Sequence, residues 1–314
     1  MPETNGSTNE NPTPAKVDIK DSAPKIYNEE DSISITSDTL KLRISLLDGS
    51  IIRSELLNYR KDFNEASENI LLIDAVNQNY IAKSDFQVNG DREIVFYKPP
   101  SKDYNIKSYP HELSLQGSSD KIEVIKTYRF EKNSHLVRIT TSVKNKKDSP
   151  INVRYFNTIQ RGVDESQNLM LYTYTGAAYY DPENKFNKIS FEDIQDDNFK
   201  LRTSSSWISM LQHYFFTAWI SQKASDQTIY TRNLSTSEQG VYLIGSVSDY
   251  ESIAGGDEKK FISDFYSGPK TVSEISEITE GLNLTVDYGV LTFLAAPLFW
   301  ILEKLYYVLQ NWGF

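Results

Sequence analysis

Between about residues 31 and 285, hydrophobic and polar residues alternate repeatedly with a period of two. The alternation is clearest from Ile122 to Val143, where two alternating arms flank the polar turn Glu131–Ser134. One face of the first arm carries Ile122, Val124, Lys126, Tyr128 and Phe130. Such a pattern is typical of strands about five to nine residues long in an antiparallel sheet with one buried face. It therefore predicts a hairpin here and a mainly β protein overall.

The same pattern recurs along the chain without a fixed internal repeat. Further strands are predicted at 32–36, 40–44, 151–159, 228–232 and 241–247, with a turn at Asp48–Gly49. Two stretches interrupt the alternation. Residues 188–200 predict a short helix or an ordered loop. The densely apolar residues 206–220 predict a buried strand, although periodicity alone does not exclude a helix. About 250 residues of this kind favour one large sandwich of two antiparallel sheets.

Composition supports a folded core and excludes several functions. Of the 314 residues 39% are hydrophobic, and 20 tyrosines and 15 phenylalanines favour extended chain. The formal net charge of −10 argues against a nucleic-acid-binding surface, because affinity for phosphate depends on Lys and Arg. The absence of cysteine excludes disulfides, thiolate metal sites and cysteine nucleophiles. A soluble, acidic β protein remains.

The two ends of the chain differ from its centre. Residues 1–30 hold four of the eleven prolines and predict a disordered tether, because they bury too little apolar surface. Residues 31–286 are the predicted sandwich, and residues 287–314 are a predicted amphipathic helix. The uncharged run Gly289–Leu302 is shorter than the roughly 20 residues that span a bilayer.

This predicted helix has a broad apolar face and aromatic residues suited to a membrane interface. The candidate membrane-interface residues are Leu298, Trp300, Ile301, Leu302, Leu305, Leu309 and Trp312. A helix packed on the core of a soluble domain explains the pattern equally well, so both alternatives stay open.

Several segments resemble one known family. They are Leu284–Gly289, Pro297–Phe299, the ending Asn311–Phe314, and the internal segments Thr175–Tyr179 and Met210–Ile220. Their order and spacing are similar to those of the YidC membrane-protein insertase family of Gram-negative bacteria, over about residues 31–314. Val290 departs from the pattern, because an aromatic residue is expected after Asp-Tyr-Gly. The resemblance is strong from Phe156 onward and weak between residues 60 and 115.

The resemblance implies a fold, a location and partners. The expected fold is a large twisted antiparallel β-sandwich like that of galactose mutarotases, on the periplasmic side of the bacterial inner membrane. Membrane helices are expected before Met1 and after Phe314, and the family's insertion groove lies in them. The chain would then be an accessory domain without insertion machinery. Its expected partners are the Sec translocon with its accessory subunits, nascent inner-membrane proteins and the membrane surface.

No catalytic residue, cofactor or metal site is predicted. The three histidines, His111, His135 and His213, are isolated in sequence and lack metal-ligand spacing. Their expected positions are a loop beside Pro110, a hairpin turn and a packed segment, respectively. The acidic cluster Glu192, Asp193, Asp196 and Asp197 lacks the spacing of a calcium loop and is read as solvated charge.

Tyr179, Tyr180 and Phe186 are the candidate partner-binding residues, because they combine aromatic rings with nearby mixed charge. An ordinary long loop is the alternative for this segment. Two further functions compete with the accessory domain: a carbohydrate- or peptide-binding module, and a mutarotase-like enzyme using His111–Glu112 or His213. A deep cleft lined by Trp and Tyr with convergent carboxylates would favour either of them.

Overall fold

A computed structural model describes residues 27–62, 64, 67–163, 174–222, 226–237, 239–286 and 304. Their backbone is dominated by β-strands, as the alternation predicts. The strands, in chain order, are β1 (Ser32–Thr36), β2 (Leu40–Ser45), β3 (Ile51–Arg60), β4 (Asn69–Asp74), β5 (Ile81–Val88), β6 (Asp91–Arg92), β7 (Tyr97–Lys98), β8 (Asp103–Asn105), β9 (His111–Ser118), β10 (Ile122–Phe130), β11 (Leu136–Asn145), β12 (Ile151–Val163), β13 (Gly176–Asp181), β14 (Lys185–Ile189), β15 (Lys200–Thr203), β16 (Trp207–Leu211), β17 (Phe215–Ser221), β18 (Gln227–Asn233), β19 (Gly240–Ser248), β20 (Glu251–Ile253) and β21 (Glu258–Pro269). Two short helices, α1 (Phe191–Asp196) and α2 (Val272–Ile275), and 3₁₀ turns at Glu29–Asp31 and Leu282–Thr285 complete the described elements.

These strands form two sheets that pack against each other. The larger sheet follows the order β15-β18-β19-β12-β5-β3-β2-β1-β8, with β20, β4 and β6 attached to β12, β3 and β5. The smaller sheet follows the order β14-β13-β16-β17-β21-β11-β10-β9-β7. Neighbouring strands among the described residues pair antiparallel, except for β1 and β8, which pair in parallel. The predicted mainly β sandwich is confirmed.

The hairpin of β10 and β11 forms in the predicted register. Val124 lies opposite Val143 and Tyr128 lies opposite Ile139. Side chains alternate along β10, so that Ile122, Val124, Lys126, Tyr128 and Phe130 are all at most 2% exposed. The turn between the strands holds Asn133 at φ 54°, a backbone conformation that Asn tolerates better than most residues. Local periodicity therefore determined both this hairpin and its buried face.

The apolar stretch 206–220 is strand, as predicted, but it is two strands and not one. β16 and β17 pair antiparallel, with Trp207 opposite Ile220, and residues 212–214 form the turn. His213 lies in this turn and is partly buried, so its predicted place inside a packed segment is wrong. The turn contains neither Gly nor Pro, and for that reason composition did not reveal it.

The interrupted stretch 188–200 contains the predicted short helix. α1 begins with a capping box, in which the Asp193 amide donates to Ser190 Oγ at 3.0 Å and the Ser190 amide donates to Asp193 Oδ2 at 2.9 Å. Asp193 thus serves as a cap, and the bonds that its carboxylate accepts from the Ser190 hydroxyl, at 2.6 Å, and from the Ser190 amide lower the pKa of that carboxyl group. Ile194 anchors the helix in the main core.

The core has two main parts. The larger part fills the space between the sheets and includes Tyr80, Trp219 and Phe265. The second lies on the outer face of the smaller sheet, where Trp207 and Tyr266 pack against Ile275 and Leu282. The C-terminal segment, defined here as residues 271–286, therefore covers this outer face.

The predicted domain boundaries stay predictions, because residues 1–26 and nearly all of 287–314 lie outside the described residues. Within the predicted tether, however, residues 27–30 are described. Tyr27 is 6% exposed and packs with Ile52, Ala75 and Ile81. The last residues of that segment are therefore part of the folded unit.

Candidate functional site

A network of buried charges lies at one end of the inter-sheet core. The short pairing of β5 with β6 places Arg92 opposite Gln87 and next to Asp85. Arg92 Nε donates to Asp85 Oδ2 at 2.7 Å, and Arg92 Nη2 lies 3.8 Å from Asp48 Oδ2. The Tyr27 hydroxyl donates to Asp48 Oδ2 at 2.9 Å. Burial is the main cause that raises the pKa of Tyr27, and the negative charge of Asp48 is the second. The network ties the described N-terminal residues to the larger sheet.

Lys126 faces this network from the smaller sheet. Its side chain is 0% exposed, and Nζ donates to the Ser84 carbonyl oxygen at 2.6 Å. Nζ also lies 5.8 Å from the centre of the Tyr97 ring. Burial lowers the pKa of Lys126 to about 8, although Asp85 and Asp48 act in the opposite direction.

Convergent carboxylates are thus present, but there is no room for a sugar between them. A cavity lined by Asp48, Asp85, Arg92 and Tyr97 has a volume of about 10 Å³. A space of this size holds about one water molecule. The charge network accordingly contributes to the structure and does not form a substrate cleft.

His135 is buried and pairs with a carboxylate. Its side chain is 6% exposed, and Nδ1 lies 3.0 Å from Glu274 Oε1 on α2. The His135 amide also donates to Glu274 Oε1 at 3.2 Å. The ring lies 6.0 Å from that of Tyr59 and 6.3 Å from that of Tyr266. A His–Glu pair has the chemistry of an acid and a base, but this enclosed pair joins the β10–β11 turn to the C-terminal segment.

The other histidines are on separate elements. His111 begins β9 opposite Phe130, and so is a strand residue and not the predicted loop residue. Burial, with Lys270 nearby, lowers the pKa of His213 in the β16–β17 turn. Within the part of the chain that the structure describes, no group of three or more His, Cys, Asp or Glu side chains is arranged to hold a metal ion.

The candidate partner-binding residues lie on hairpin β13–β14, mostly with buried rings. Tyr179 and Tyr180 are each 6% exposed, because Tyr179 faces the inter-sheet core and Tyr180 faces the C-terminal segment. Tyr180 stacks on Trp207 at a centroid distance of 6.0 Å, and its hydroxyl donates to Glu280 Oε1 at 2.6 Å. Phe186 is partly buried, 5.9 Å from Trp207. Their role in partner binding stays a prediction, now with Phe186 as the more accessible ring.

The candidate membrane-interface residues lie outside the described residues. These are Leu298, Trp300, Ile301, Leu302, Leu305, Leu309 and Trp312. Among the helices of the described residues, none combines the length and the apolar character needed to cross a membrane.

Sequence comparisons identify relatives over most of the chain. The sequence profile of the family described as the YidC periplasmic domain matches residues 32–301. The membrane protein insertase YidC of Thioalkalivibrio sulfidiphilus is 32% identical over an alignment 295 positions long, and the match covers 90% of this chain and 53% of that protein. The YidC of Francisella philomiragia subsp. philomiragia is 31% identical over an alignment 324 positions long, and the match covers 99% of this chain and 57% of that protein. The chain thus spans about half the length of these relatives.

A structural comparison supports the sandwich architecture. A galactose mutarotase related enzyme from Lactobacillus acidophilus aligns with a TM-score of 0.50 and 10% identity, over 75% of this chain and 97% of that one. At this identity the likeness concerns the fold alone. Because the family profile covers most of the sandwich and the relatives match nearly the whole chain, this chain belongs to the YidC periplasmic domain family.

Proposed function

We propose that this chain is the accessory periplasmic domain of an inner-membrane protein insertase, and that it holds partner proteins near the site of insertion. The Sec translocon and its accessory subunits are the proposed partners, and nascent inner-membrane proteins are the proposed clients. Family membership supports the general role. The docking role is supported by a series of side-chain contacts that connects hairpin β13–β14 to the C-terminal segment.

These contacts run through aromatic rings and one carboxylate. Tyr180 stacks on Trp207, the Trp207 indole Nε1 donates to the Glu280 carbonyl oxygen at 3.1 Å, and the Tyr180 hydroxyl donates to the Glu280 carboxylate. Gly281, at φ 75°, lies so close to Tyr180 that a Cβ there would be 2.3 Å from Cδ2 of the ring. A partner bound to the hairpin would therefore be held in a defined position relative to residues 271–286.

The outer edge of the hairpin has the composition of a small contact site. β14 is the terminal strand of the smaller sheet, and Phe186 is flanked by the exposed residues Lys185 and Lys188. A partly exposed aromatic ring with a charged rim is common in protein contacts. An edge strand can also accept backbone hydrogen bonds from another chain. We place the partner contact on this edge, with Phe186 at its centre.

The proposal extends to the membrane surface. In it, Leu298, Leu302, Leu305 and Leu309 face the lipid from an interfacial helix, with Trp300 and Trp312 at headgroup depth and Ile301 on the same broad face. This helix would hold the sandwich close to the bilayer, where the partners reside.

Site-specific crosslinking tests the docking surface. A photoreactive amino acid replaces Phe186 in the full-length insertase in native membranes, and the crosslinked products are identified by mass spectrometry. The matched control replaces Tyr250, an aromatic residue 44% exposed in the turn between β19 and β20. We expect a Sec component to be captured from position 186 and not from position 250. Capture of no Sec component from position 186, or equal capture from both positions, would refute the docking surface.

A further inference from the structure

The second half of β12 points a charged side chain into the space between the sheets. Along this strand Tyr155 and Ile159 face the inter-sheet core, and Val163 packs against it. Arg161 lies between Ile159 and Val163 and has the same parity, so its side chain extends to the same face. It is partly buried, so part of the residue is accessible to solvent.

Both sheets contribute to the surroundings of this guanidinium group. Arg161 lies directly opposite Tyr242 of β19, and its Cζ is 5.3 Å from the centre of the Tyr80 ring. From the smaller sheet, the carbonyl oxygen of Leu211 accepts a bond from Nη1 at 3.5 Å. The Tyr80 hydroxyl is 2.8 Å from Thr217 Oγ1. A cation thus lies at the edge of the core beside neutral hydroxyl groups.

Arg161 lacks a counter-charge among the described residues, whereas the partly buried Arg92 and the exposed Arg138 each pair with a carboxylate. Arg92 pairs with Asp85 at 2.5 Å, and Arg138 bonds both carboxylate oxygens of Asp264, at 2.9 and 3.1 Å. A guanidinium group has five donors. Here the hydrogen bonding within the described residues is one long bond to a carbonyl group. Burial lowers the pKa of Arg161, which indicates that its charge is incompletely compensated.

We propose that Arg161 binds a carboxylate group that enters between the two sheets beside Tyr80 and Tyr242. The planar fork of an arginine matches a carboxylate with two parallel hydrogen bonds. A single cation beside neutral hydroxyl groups suits one negative charge, and the net charge of −10 disfavours a ligand with several. The surrounding tyrosine rings and Val163 suit an apolar group next to the carboxylate. This site does not depend on the docking role proposed above.

Two sources of carboxylate fit this chemistry, the free C-terminus of a peptide and a small organic acid. The probes are therefore the tripeptide Ala-Ala-Phe, the same tripeptide with an amidated C-terminus, and sodium acetate. Each is titrated into the purified chain to about 20 mM, a range that detects millimolar affinity. The readout is the NMR signal of the Arg161 Nε–Hε group.

We expect the free tripeptide to shift this signal and to raise the melting temperature, and the amide to do neither. Acetate binding about as tightly as the tripeptide would assign the site to small acids, and weaker acetate binding would assign it to peptide termini. Arg161→Lys keeps the charge but loses the fork, so we expect it to bind about tenfold more weakly. Arg161→Met should abolish the melting shift while melting no lower than the unmodified protein, since it removes an uncompensated charge.

Three results would overturn the site. They are an unmoved Arg161 signal with every probe, an equal response to the amidated peptide, and an undiminished melting shift in Arg161→Met. A failure of the crosslinking at Phe186 would leave these measurements unaffected, so the two proposals fail separately.

Discussion

Replacing the buried Lys126 with Met should change how the stability of this domain depends on pH. Burial lowers the pKa of Lys126 from its ordinary value of 10.5 to about 8 in the folded chain. Well below pH 8 the lysine is charged in both the folded and the unfolded states, so its unfavourable contribution is constant. Between about pH 8 and 10.5 the unfolded chain holds the proton more tightly. The free energy of unfolding therefore rises with pH across that window.

The size of the effect follows from the two pKa values. The full difference corresponds to roughly 3 kcal/mol, of which about 1.3 kcal/mol develops between pH 7 and pH 9. Lys126→Met removes this contribution and keeps an unbranched side chain of similar shape. Buried tyrosines such as Tyr97 and Tyr128, whose pKa values burial raises, act in the opposite direction, mostly above pH 10. They are present in both proteins, so their effect cancels in the comparison.

Urea unfolding followed by tryptophan fluorescence measures the difference. From pH 7 to pH 9 the unfolding midpoint of the unmodified chain should rise by about 0.5 M relative to that of Lys126→Met. Lys121→Met is the matched control, because Glu93 raises the pKa of this more exposed lysine and no gain is expected in the same window. Equal pH dependence of the unmodified chain and Lys126→Met would refute the argument that Lys126 is charged at an energetic cost.

Three further outcomes are expected. Glu274→Ala should lower the free energy of unfolding by about 1–3 kcal/mol in urea, because it leaves the buried His135 without its partner, whereas the exposed control Glu277→Ala should change it by less than about 0.5 kcal/mol. The double variant Leu302→Glu, Leu305→Glu should stop the chain from floating with liposomes and leave the sandwich folded; unfolding of the domain, or an unmodified chain that never floats, would contradict the interfacial helix. Purified protein should not accelerate the anomer exchange of glucose or galactose, as measured by polarimetry. An acceleration that is lost on replacing His111 or His213 would overturn the accessory-domain proposal.

Local patterns were sufficient for much of the architecture. The hairpin from Ile122 to Phe130 and back is encoded by a period of two, because successive side chains of a strand point to opposite faces. The same parity placed Lys126 on the buried face before any partner was known. The short helix at Phe191–Asp196 can also be predicted from the sequence, because a capping box depends on two residues that are only three positions apart. The turn at 212–214 was missed, because it lacks the residues that usually mark turns.

Local sequence patterns do not predict which residues pair with the buried polar groups. Glu274 pairs with His135 across 139 positions of sequence, and Leu211 meets Arg161 across 50. Nothing near either residue in the chain specifies such a pairing, because it depends on which strands become neighbours and on how the two sheets face each other. The burial of Tyr179 and Tyr180 has the same origin, since the inter-sheet core and the C-terminal segment cover their rings.

The sequence by itself therefore determined the strands, the class of fold and the family, since these depend on alternation and on ordered motifs along the chain. Only the tertiary structure decided which charges are compensated. Arg92 lies against the carboxylates of Asp85 and Asp48, whereas Arg161 lies against a ring and a carbonyl oxygen. The physical reason is that the energy of a buried charge depends on the groups within a few ångströms of it, and sheet packing brings those groups from distant parts of the chain.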